Sequence, residues 1–323
     1  MAQRSIIIIG AGIAGLAAGC YAQMNGYSTQ IHEAHDKPGG LCTAWKRRGY
    51  TVDGCIHHLA GASPGVELYR LWEELGAVQG REMVFCDTLT QVESADGQVL
   101  TVYTDIDRLE RHMKQLSPAD ARLIEEYTNG ARKFARIDLF SLMAMTPLQA
   151  ARKAWPVAGT FAKWSKVTLD QFAEGFQDPF LRRAFPTVQY DFADIPMFLH
   201  LNFLAGCHNK TLGWPKGGSL SFARSIADRY ERLGGRIHCR SRVSRILVED
   251  NRAVGVIANG AEHKADVVIS AADGHSTIFD MLGGKFADER IKRFYDAAPR
   301  SVEMALQVAF GVNRDMSQEP QAL

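Results

Sequence analysis

The sequence predicts an α/β fold, in which both ends of the chain build a parallel sheet and a largely helical segment is inserted between them. Three observations support this prediction. Ser5–Ile9 is a β-branched run followed by a glycine-rich turn and an apolar helix over Ile13–Met24. Ser28–His32 is a second short strand, which a right-handed crossover makes parallel to the first. Much later, Ala265–Ser270 is apolar enough to rejoin the same sheet.

Composition restricts the class of protein. The chain has 323 residues, of which 46% are hydrophobic, enough for two domains with their own cores. Its 37 Lys and Arg against 36 Asp and Glu give a net charge of +1, which argues against a nucleic-acid partner. The six cysteines show no CxxC spacing, so we expect free thiols in a reducing, cytoplasmic compartment and no metal site.

The segment Gly10-Ala11-Gly12-Ile13-Ala14-Gly15 is a complete GxGxxG between a strand and a helix, which is the context of a dinucleotide-binding fingerprint. Gly10 permits the tight turn, Gly12 lets the backbone approach a pyrophosphate, and Gly15 lets the helix pack on the strand. Glu33 ends the second strand, where a carboxylate accepts hydrogen bonds from ribose hydroxyls. Its charge disfavours a 2′-phosphate, which leaves FAD or NAD.

A second glycine pair, Gly39-Gly40, follows this carboxylate within Pro38–Thr43. Two residues without side chains allow the backbone to approach the far side of an extended cofactor with two phosphates. Glu33 to Thr43, with the spacing E-x5-GG-x2-T, resembles the second nucleotide motif of the amine oxidase and phytoene desaturase group of flavoproteins. Four other segments are similar to the desaturase branch: Gly49–Asp53, Trp214–Gly218, Arg242–Ile246 and Val268–Asp273.

The resemblance implies that FAD is the cofactor and that the fold is a Rossmann-like FAD-binding domain with a small β-meander and an inserted α+β substrate domain. It implies that Glu33 holds the adenosine ribose, that Gly40 and Leu41 lie along the pyrophosphate or flavin, and that the Val243 backbone contacts adenine. Many relatives carry Arg at the position of Leu41, so that cationic contact is absent here. The predicted cofactor-binding residues are Gly10, Gly12, Ile13, Ala14, Gly15, Glu33, Ala34, Gly39, Gly40, Leu41, Val243 and Ala271.

The remaining pattern gives the domain organisation. Phe85–Ser94 and Gln98–Thr104 predict a hairpin, and Ile106–Leu116 predicts an amphipathic helix. Ser117 begins a second helix with a capping hydroxyl, and Thr168 and Asp178 begin further helices. After Gly213 the chain predicts a helix over Ser219–Leu233 and strands over Arg236–Cys239, Val243–Val248 and Val254–Ala258. We expect residues 1–80 and 213–299 to form the FAD-binding domain, and residues 81–212 and 300–323 an incomplete substrate domain.

By the resemblance, the reaction is flavin-mediated desaturation, saturation or isomerisation of a hydrophobic polyene or isoprenoid. No separate catalytic residue is assigned, because the flavin carries the redox chemistry. Two alternatives stay open: an amine oxidase-type enzyme, and a non-enzymatic carrier of lipid or prenyl groups like the GDP-dissociation inhibitors. The intact GxGxxG, Glu33 and the glycine pair favour cofactor use over the carrier.

Two pairs of residues follow the nucleotide motifs. If His57 and His58 lie on a strand, they point to opposite faces, so at most one lines the cofactor site. The alternative is one buried, hydrogen-bonded histidine and one exposed histidine. Cys42 and Cys55 either approach the flavin or serve as small buried hydrophobic residues, and neither is assigned a catalytic role.

The segment 132–166 carries seven basic residues against the single acid Asp138, interleaved with Phe134, Phe140, Trp155, Phe161 and Trp164. This composition suits either peripheral contact with an anionic membrane on its inner face or a solvated basic surface.

Ser301–Val312 alternates apolar and polar residues and predicts a half-buried strand. No glycine-rich return segment follows it, so we expect an exposed flavin, a sheet edge open to another subunit, and no ordinary turnover by this chain alone.

Overall fold

The computed structural model describes residues 3–189, 192–297, 308 and 310–316. The chain divides into two compact units. The first unit comprises Met1–Ile56, Glu73–Arg81 and Gly217–Val312, and the second comprises His57–Trp72, Glu82–Lys216 and Asn313–Leu323. The domain boundaries expected from the sequence stay a prediction. The strand predicted over Ser301–Val312 lies largely outside the described residues.

The first unit is built on a four-stranded parallel sheet. Its strands stand in the order β10-β2-β1-β14, with β1 at Ser5–Ile9, β2 at Ser28–His32, β10 at Arg236–His238 and β14 at Val267–Ser270. Helix α1 (Ile13–Met24) connects β1 to β2, and α10 (Gly218–Arg232) precedes β10. The mixed α/β fold, and the return of the late strand to the first sheet, are confirmed.

Close packing of α1 depends on its small residues. Its buried face consists of Gly15, Leu16, Gly19 and Cys20. A Cβ atom at Gly19 would lie 2.7 Å from the ring of Tyr230 on α10, and the Tyr230 hydroxyl is 2.8 Å from Thr29 Oγ1 on β2. The two helices and the sheet therefore pack together through a contact that only glycine at position 19 permits.

Smaller β-structures complete the first unit. Strands β11 (Val243–Glu249), β12 (Arg252–Ala258) and β13 (Ala261–Lys264) form an antiparallel meander, and β3 (Ala44–Arg47) pairs with β4 (Tyr50–Asp53) as a hairpin. A π-helical turn at Ser276–Met281 and helix α11 (Glu289–Ala297) follow β14. Neither β13 nor β3 was predicted, because short polar strands carry little alternation of apolar residues.

The carboxylate of Asp53 links the β3–β4 hairpin to the start of α10. It accepts hydrogen bonds from the backbone N–H and the hydroxyl of Ser219, and the Ser219 hydroxyl oxygen accepts a further bond from the Ile56 N–H at 2.8 Å. Gly218 adopts φ +79°, and a Cβ there would lie 2.1 Å from the Asp53 carboxylate. Two segments that the sequence singled out separately, Gly49–Asp53 and Trp214–Gly218, thus end at one helix terminus.

The second unit is largely helical. Its helices are α3 (Ile106–Leu116), α4 (Ala121–Phe134), α5 (Pro147–Ala154), α6 (Ala158–Trp164), α7 (Leu169–Ala173), α8 (Pro179–Ala184) and α9 (Met197–His208), with α2 (Glu67–Glu74) starting in this unit. Its strands are β5 (Leu59–Ala60), β6 (Met83–Val84), β7 (Thr88–Glu93), β8 (Val99–Tyr103) and β9 (Leu212–Pro215). β7 and β8 form the predicted hairpin, and β5-β9-β6 form a second small sheet.

Helix capping in the second unit follows most of the predictions. Thr168 accepts a hydrogen bond from the Gln171 N–H, and Asp178 accepts one from the Leu181 N–H, so both cap their helices. The capping role predicted for the Ser117 hydroxyl is wrong. That hydroxyl donates to the Asp120 carboxylate instead, and a short 3₁₀ turn precedes α4.

The core of the second unit is aromatic and contains one buried polar chain. The Tyr127 hydroxyl lies 2.8 Å from His200 Nε2, and His200 Nδ1 lies 3.0 Å from Gln189 Oε1. Burial lowers the pKa of His200 to about 4, so the imidazole is neutral at physiological pH.

No helix within the described ranges combines the length and apolar character needed to cross a bilayer.

Candidate functional site

A groove with a volume of about 700 Å³ opens at the carboxyl ends of β1, β2 and β14. Ligands of open α/β sheets bind at this edge. We call it the glycine groove, and its lining residues are Ile9, Gly10, Gly12, Ile13, Ala14, His32, Glu33, Ala34, Gly39, Gly40, Leu41, Cys42, Arg242, Val243, Ala271, Ala272, Asp273, Ser276 and Met281. Eleven of the twelve residues predicted from sequence are in this set, and Gly15 is the exception.

The first glycine segment forms the turn from β1 into α1. Gly10 adopts φ +96°, a left-handed conformation that favours glycine, and its N–H donates to the His32 carbonyl at 2.8 Å. Gly12 precedes α1 without a side-chain cap, and the first turn of α1 has no acidic residue. The start of α1 therefore presents backbone N–H groups and the positive end of a helix dipole to the groove.

Gly15 supports the groove from behind. A Cβ at this position would lie 2.0 Å from the Gly10 carbonyl oxygen and 3.3 Å from the Ala271 Cβ. A distance of 2.0 Å between a carbon and a carbonyl oxygen is far below van der Waals contact. Any side chain at Gly15 would therefore displace the turn that forms the groove.

The Glu33 carboxylate is held by two backbone donors. Its Oε2 accepts from the Ala11 N–H at 2.6 Å, and its Oε1 accepts from the His35 N–H at 2.8 Å. Its own backbone is fixed as well, because the Glu33 N–H donates to the His238 carbonyl and the Glu33 carbonyl accepts from Ser241. The carboxylate is thereby oriented at the groove wall beside the glycine turn.

The two glycine motifs are in direct backbone contact. The Gly39 N–H donates to the Ala11 carbonyl at 2.9 Å, and Gly12 and Gly39 form an isolated parallel bridge. A Cβ at Gly40 would lie 3.0 Å from the Gly12 Cα. The second motif therefore continues the groove from the first, while Leu41 stands on its rim with 88% of its surface exposed.

Val243 and Ala271 extend the groove from distant parts of the sequence. Val243 is buried at the start of β11, and the Ala271 N–H donates to the Ile9 carbonyl at 2.9 Å. Arg242 adds a basic side chain to the lining. Arg242 and His32 were not predicted as site residues, because in the sequence each stands only within a strand or a motif.

His57 and His58 do not lie on a strand as the prediction supposed, and neither lines the glycine groove. His57 is exposed, whereas His58 packs edge-on against Phe203 with ring centroids 4.7 Å apart. Burial, together with the neighbouring His57, lowers the pKa of His58. Its buried Nδ1 has no hydrogen-bond partner within the described part of the chain. The expectation of one exposed and one buried histidine therefore holds in part, because the hydrogen bond expected for the buried one is absent from the described residues.

His32 belongs to a cluster of three imidazoles at the groove. Its ring stacks on His238 at 5.1 Å and lies 4.7 Å from the ring of His263, while its Nδ1 is 2.8 Å from the Ser241 hydroxyl. Burial, and then the charges of His263 and His238, lower the pKa of His32 from 6.5 to about 4. His32 is therefore neutral at physiological pH.

The fold and the groove define a dinucleotide-binding protein with two linked glycine motifs. The chain belongs to the flavin containing amine oxidoreductase family, whose model matches residues 13–276. FAD is accordingly the cofactor, as the sequence motifs predicted. The groove fits such a cofactor, because it offers an uncapped helix start, an oriented carboxylate and bare backbone over two successive turns.

Two curated relatives and one solved structure illustrate the similarity. The chain is 29% identical over 304 residues to the lycopene-forming phytoene desaturase of Paracoccus sp., covering 87% of this chain and 57% of that protein. It is 24% identical over 329 residues to the chloroplastic prolycopene isomerase 1 of an Oncidium hybrid cultivar, covering 95% of this chain and 55% of that protein. This chain thus spans little more than half the length of either relative.

An oxidoreductase structure from Methanosarcina mazei matches with a TM-score of 0.60 at 19% identity, covering 90% of this chain and 64% of that chain. This likeness shows the shared fold.

We predict that the stability of the protein falls as the pH is lowered from 6.5 towards 4, partly through His32. In this window the unfolded chain takes up a proton that folded His32 does not, because its folded pKa is depressed. Thermal unfolding measured across this range should show a shallower decline for His32→Phe than for the wild type. Equal slopes for His32→Phe and the wild type would contradict the assignment.

Proposed function

We propose that this chain binds FAD in the glycine groove and acts as an oxidoreductase on a hydrophobic polyene or related isoprenoid, by desaturation, saturation or isomerisation. The proposal rests on the direct backbone contact of Gly12 with Gly39 and Gly40, which lies beside the oriented Glu33 carboxylate. The class of substrate is supported by the relatives, one a phytoene desaturase and the other a prolycopene isomerase.

The lining residues have distinct roles in this proposal. The N–H groups at the start of α1 receive the pyrophosphate, which approaches closely because Gly10 and Gly12 carry no side chain. Glu33 accepts hydrogen bonds from the adenosine ribose, and the Val243 backbone contacts the adenine. Ile13, Ala14, Ala34, Gly39, Gly40, Leu41 and Ala271 form the remaining walls, and Gly15 supports the turn.

The bound flavin supplies the hydride chemistry. The protein's own task is to position the cofactor and to keep water from it. Arg242 is well suited to balance negative charge in the groove, since it is a basic residue of the lining and Leu41 provides no cation. We further propose that residues 1–80 and 213–299 bind FAD and that residues 81–212 with 300–323 contribute the substrate cleft.

The cofactor assignment predicts that Gly15→Val abolishes FAD binding. The Cβ of the valine would stand only 2.0 Å from the Gly10 carbonyl oxygen, so the side chain would deform the pyrophosphate turn. Isothermal titration with FAD measures the effect. Gly159→Val is the matched control, because a Cβ at this exposed helical position meets no atom within 4 Å and FAD affinity should not change.

Glu33→Ala should weaken FAD binding less, by about 10- to 100-fold, which corresponds to the loss of a charge-assisted hydrogen bond. Glu33→Gln should fall between this variant and the wild type, since it keeps one acceptor oxygen without the charge. Unchanged FAD affinity in both Gly15→Val and Glu33→Ala would show that the cofactor binds elsewhere.

The reaction class is tested by single-turnover experiments on the FAD-loaded chain in detergent. A long polyene hydrocarbon is added anaerobically to the oxidised protein and, separately, to the dithionite-reduced protein, and products are separated by chromatography. We expect desaturated, saturated or isomerised polyene in at least one arm, at no more than one equivalent per FAD, because a single turnover does not need the repeated cycle that is not expected of this chain alone. Bleaching of the visible flavin band by a polyamine would instead support the amine oxidase alternative, and a colourless protein that binds a prenylated peptide would support the carrier. No product and no flavin response would overturn the proposal.

We propose peripheral contact with an anionic membrane through the segment 132–166. Three apolar side chains are widely exposed there, Met143 at 86%, Leu148 at 82% and Trp155 at 79%. They stand close in sequence to Arg152 and Lys153, both exposed on α5. Exposed apolar side chains beside basic ones suit the interface of an anionic bilayer.

Other residues of that segment have structural roles. Phe134 and Trp164 are buried in the core of the second unit, so they are not free to enter a bilayer. Lys163 pairs with Glu126 at 2.9 Å and lies over the Trp164 ring, and Arg132 pairs with Asp107 and Glu110. The proposed membrane-contact surface therefore includes fewer residues of segment 132–166 than its basic and aromatic composition indicated.

We predict that the protein floats with phosphatidylserine-containing vesicles at low salt and that binding falls as the salt concentration rises. Replacing Met143, Leu148 and Trp155 together with Ser should abolish flotation. Phe294→Ser is the control, because this phenylalanine of α11 is 67% exposed but lies outside the segment. Equal binding to neutral and anionic vesicles, or loss of flotation in the control, would contradict the assignment.

A further inference from the structure

Cys42 and Cys55 stand opposite each other at the open end of the β3–β4 hairpin. The strands pair Ala44 with Asp53 and Trp45 with Val52 in antiparallel register. Extended by two residues, that register places position 42 opposite position 55. Their sulfur atoms lie 3.7 Å apart, and both residues are only partly buried.

This arrangement suits a disulfide. The paired register of the hairpin ends at Ala44 and Asp53, and the residues beyond that pair bring the Cys42 and Cys55 sulfurs within 3.7 Å of each other. The two sulfurs need to approach by less than about 2 Å to reach bonding distance, which side-chain rotation supplies.

We propose that Cys42 and Cys55 are a reversible dithiol–disulfide pair that, when oxidised, tightens the glycine groove. The oxidant is a small-molecule disulfide. The effect on the groove rests on the proposed function, whereas formation of the disulfide does not.

The pair connects two parts of the first unit that bear on the groove. Cys42 lines the groove, and its N–H donates to the Gly39 carbonyl at 3.0 Å, closing the turn whose Gly39 N–H donates to Ala11. Cys55 is held on the other side, because its N–H donates to the Asp53 carboxylate and the next N–H, that of Ile56, donates to Ser219. A disulfide would tie the turn at Gly39–Cys42 to the segment anchored at the start of α10.

The exchange balances in two steps. One cysteine loses its proton and its thiolate attacks a sulfur of the external disulfide, so that a mixed disulfide forms and one small thiolate leaves and takes up that proton. The second cysteine, also losing its proton, attacks the protein sulfur of the mixed disulfide and releases the second small thiol. Two S–H bonds of the protein are replaced by one S–S bond, and the external disulfide is reduced to two thiols.

The surroundings of Cys42 keep its thiol protonated at neutral pH. Burial, followed by the charge and hydrogen bond of Cys55 and the charge of Asp53, raises the pKa of Cys42 to about 12. Because only a thiolate attacks a disulfide, Cys42 must lose its proton before it can form the new bond.

The consequence for FAD follows from preorganisation. A disulfide would restrict the turn at Gly39–Cys42 before FAD binds, so binding would have less conformational freedom to remove. We expect the FAD dissociation constant of the oxidised protein to be about 3- to 10-fold lower than that of the reduced protein.

The test uses the full chain, treated with oxidised glutathione or with dithiothreitol. Peptide mapping by mass spectrometry without reduction should find Cys42 joined to Cys55, and dithiothreitol should reverse the bond. In Cys42→Ser and in Cys55→Ser, the remaining thiol should accumulate as a mixed disulfide with glutathione, because the second thiol is missing. Cys239→Ser, which removes an exposed cysteine elsewhere in the first unit, should form the Cys42–Cys55 bond like the wild type.

FAD titration of the oxidised and reduced forms then measures how disulfide formation changes the affinity for FAD. In Cys42→Ser and Cys55→Ser, we expect the affinity for FAD to be independent of oxidation. Absence of the Cys42–Cys55 peptide after oxidation would overturn the inference, and so would a disulfide that leaves FAD affinity unchanged or weakens it. If the disulfide forms but neither redox form binds FAD, the proposed function fails while the disulfide assignment stands.

Discussion

The contact of the Gly15 backbone with the Gly10 carbonyl is the constraint on which the glycine groove depends. A Cβ at Gly15 would lie 2.0 Å from that oxygen, so the first turn of α1 packs on the end of β1 without any side chain between them. This closeness directs the start of α1 at the groove, and it fixes Ala11 so that its N–H reaches the Glu33 carboxylate and its carbonyl accepts from Gly39. The Glu33 carboxylate and the second glycine pair are therefore positioned by the same short loop.

Distant segments meet at the groove through backbone hydrogen bonds. Strand β14 aligns with β1 from Ile6 to Ile9, which brings Ala271 next to the glycine turn although the intervening chain is more than half of the sequence. A similar convergence joins Asp53 to Ser219 at the start of α10. Each of these links satisfies a backbone donor that would otherwise lack a partner, which is why the segments hold their positions.

The region beside the glycine groove also brings together two thiols that lie outside the glycine pairs. The thiols of Cys42 and Cys55 meet because one follows the second glycine pair and the other follows Asp53, so the β3–β4 hairpin closes them together. In a reducing compartment the resting form of such a pair is the dithiol. An oxidant would then act on the turn that borders the groove and leave the glycine loop itself unmodified.

The local pattern of the sequence determined the strand–glycine turn–helix unit from Ser5 to Met24, the carboxylate at Glu33 and the apolar character of the late strand that joins the first sheet. These follow from short-range rules, since β-branched runs, glycine spacing and helix stops act within a few residues. Tertiary structure alone decided that Gly15 supports the groove without lining it, and that Arg242, His32 and Cys42 join the lining. It also decided that Trp164 is buried while Trp155 is exposed, although both stand in one basic and aromatic segment. Such outcomes depend on which side of an element faces its neighbours, and that is set by packing between residues far apart in the chain.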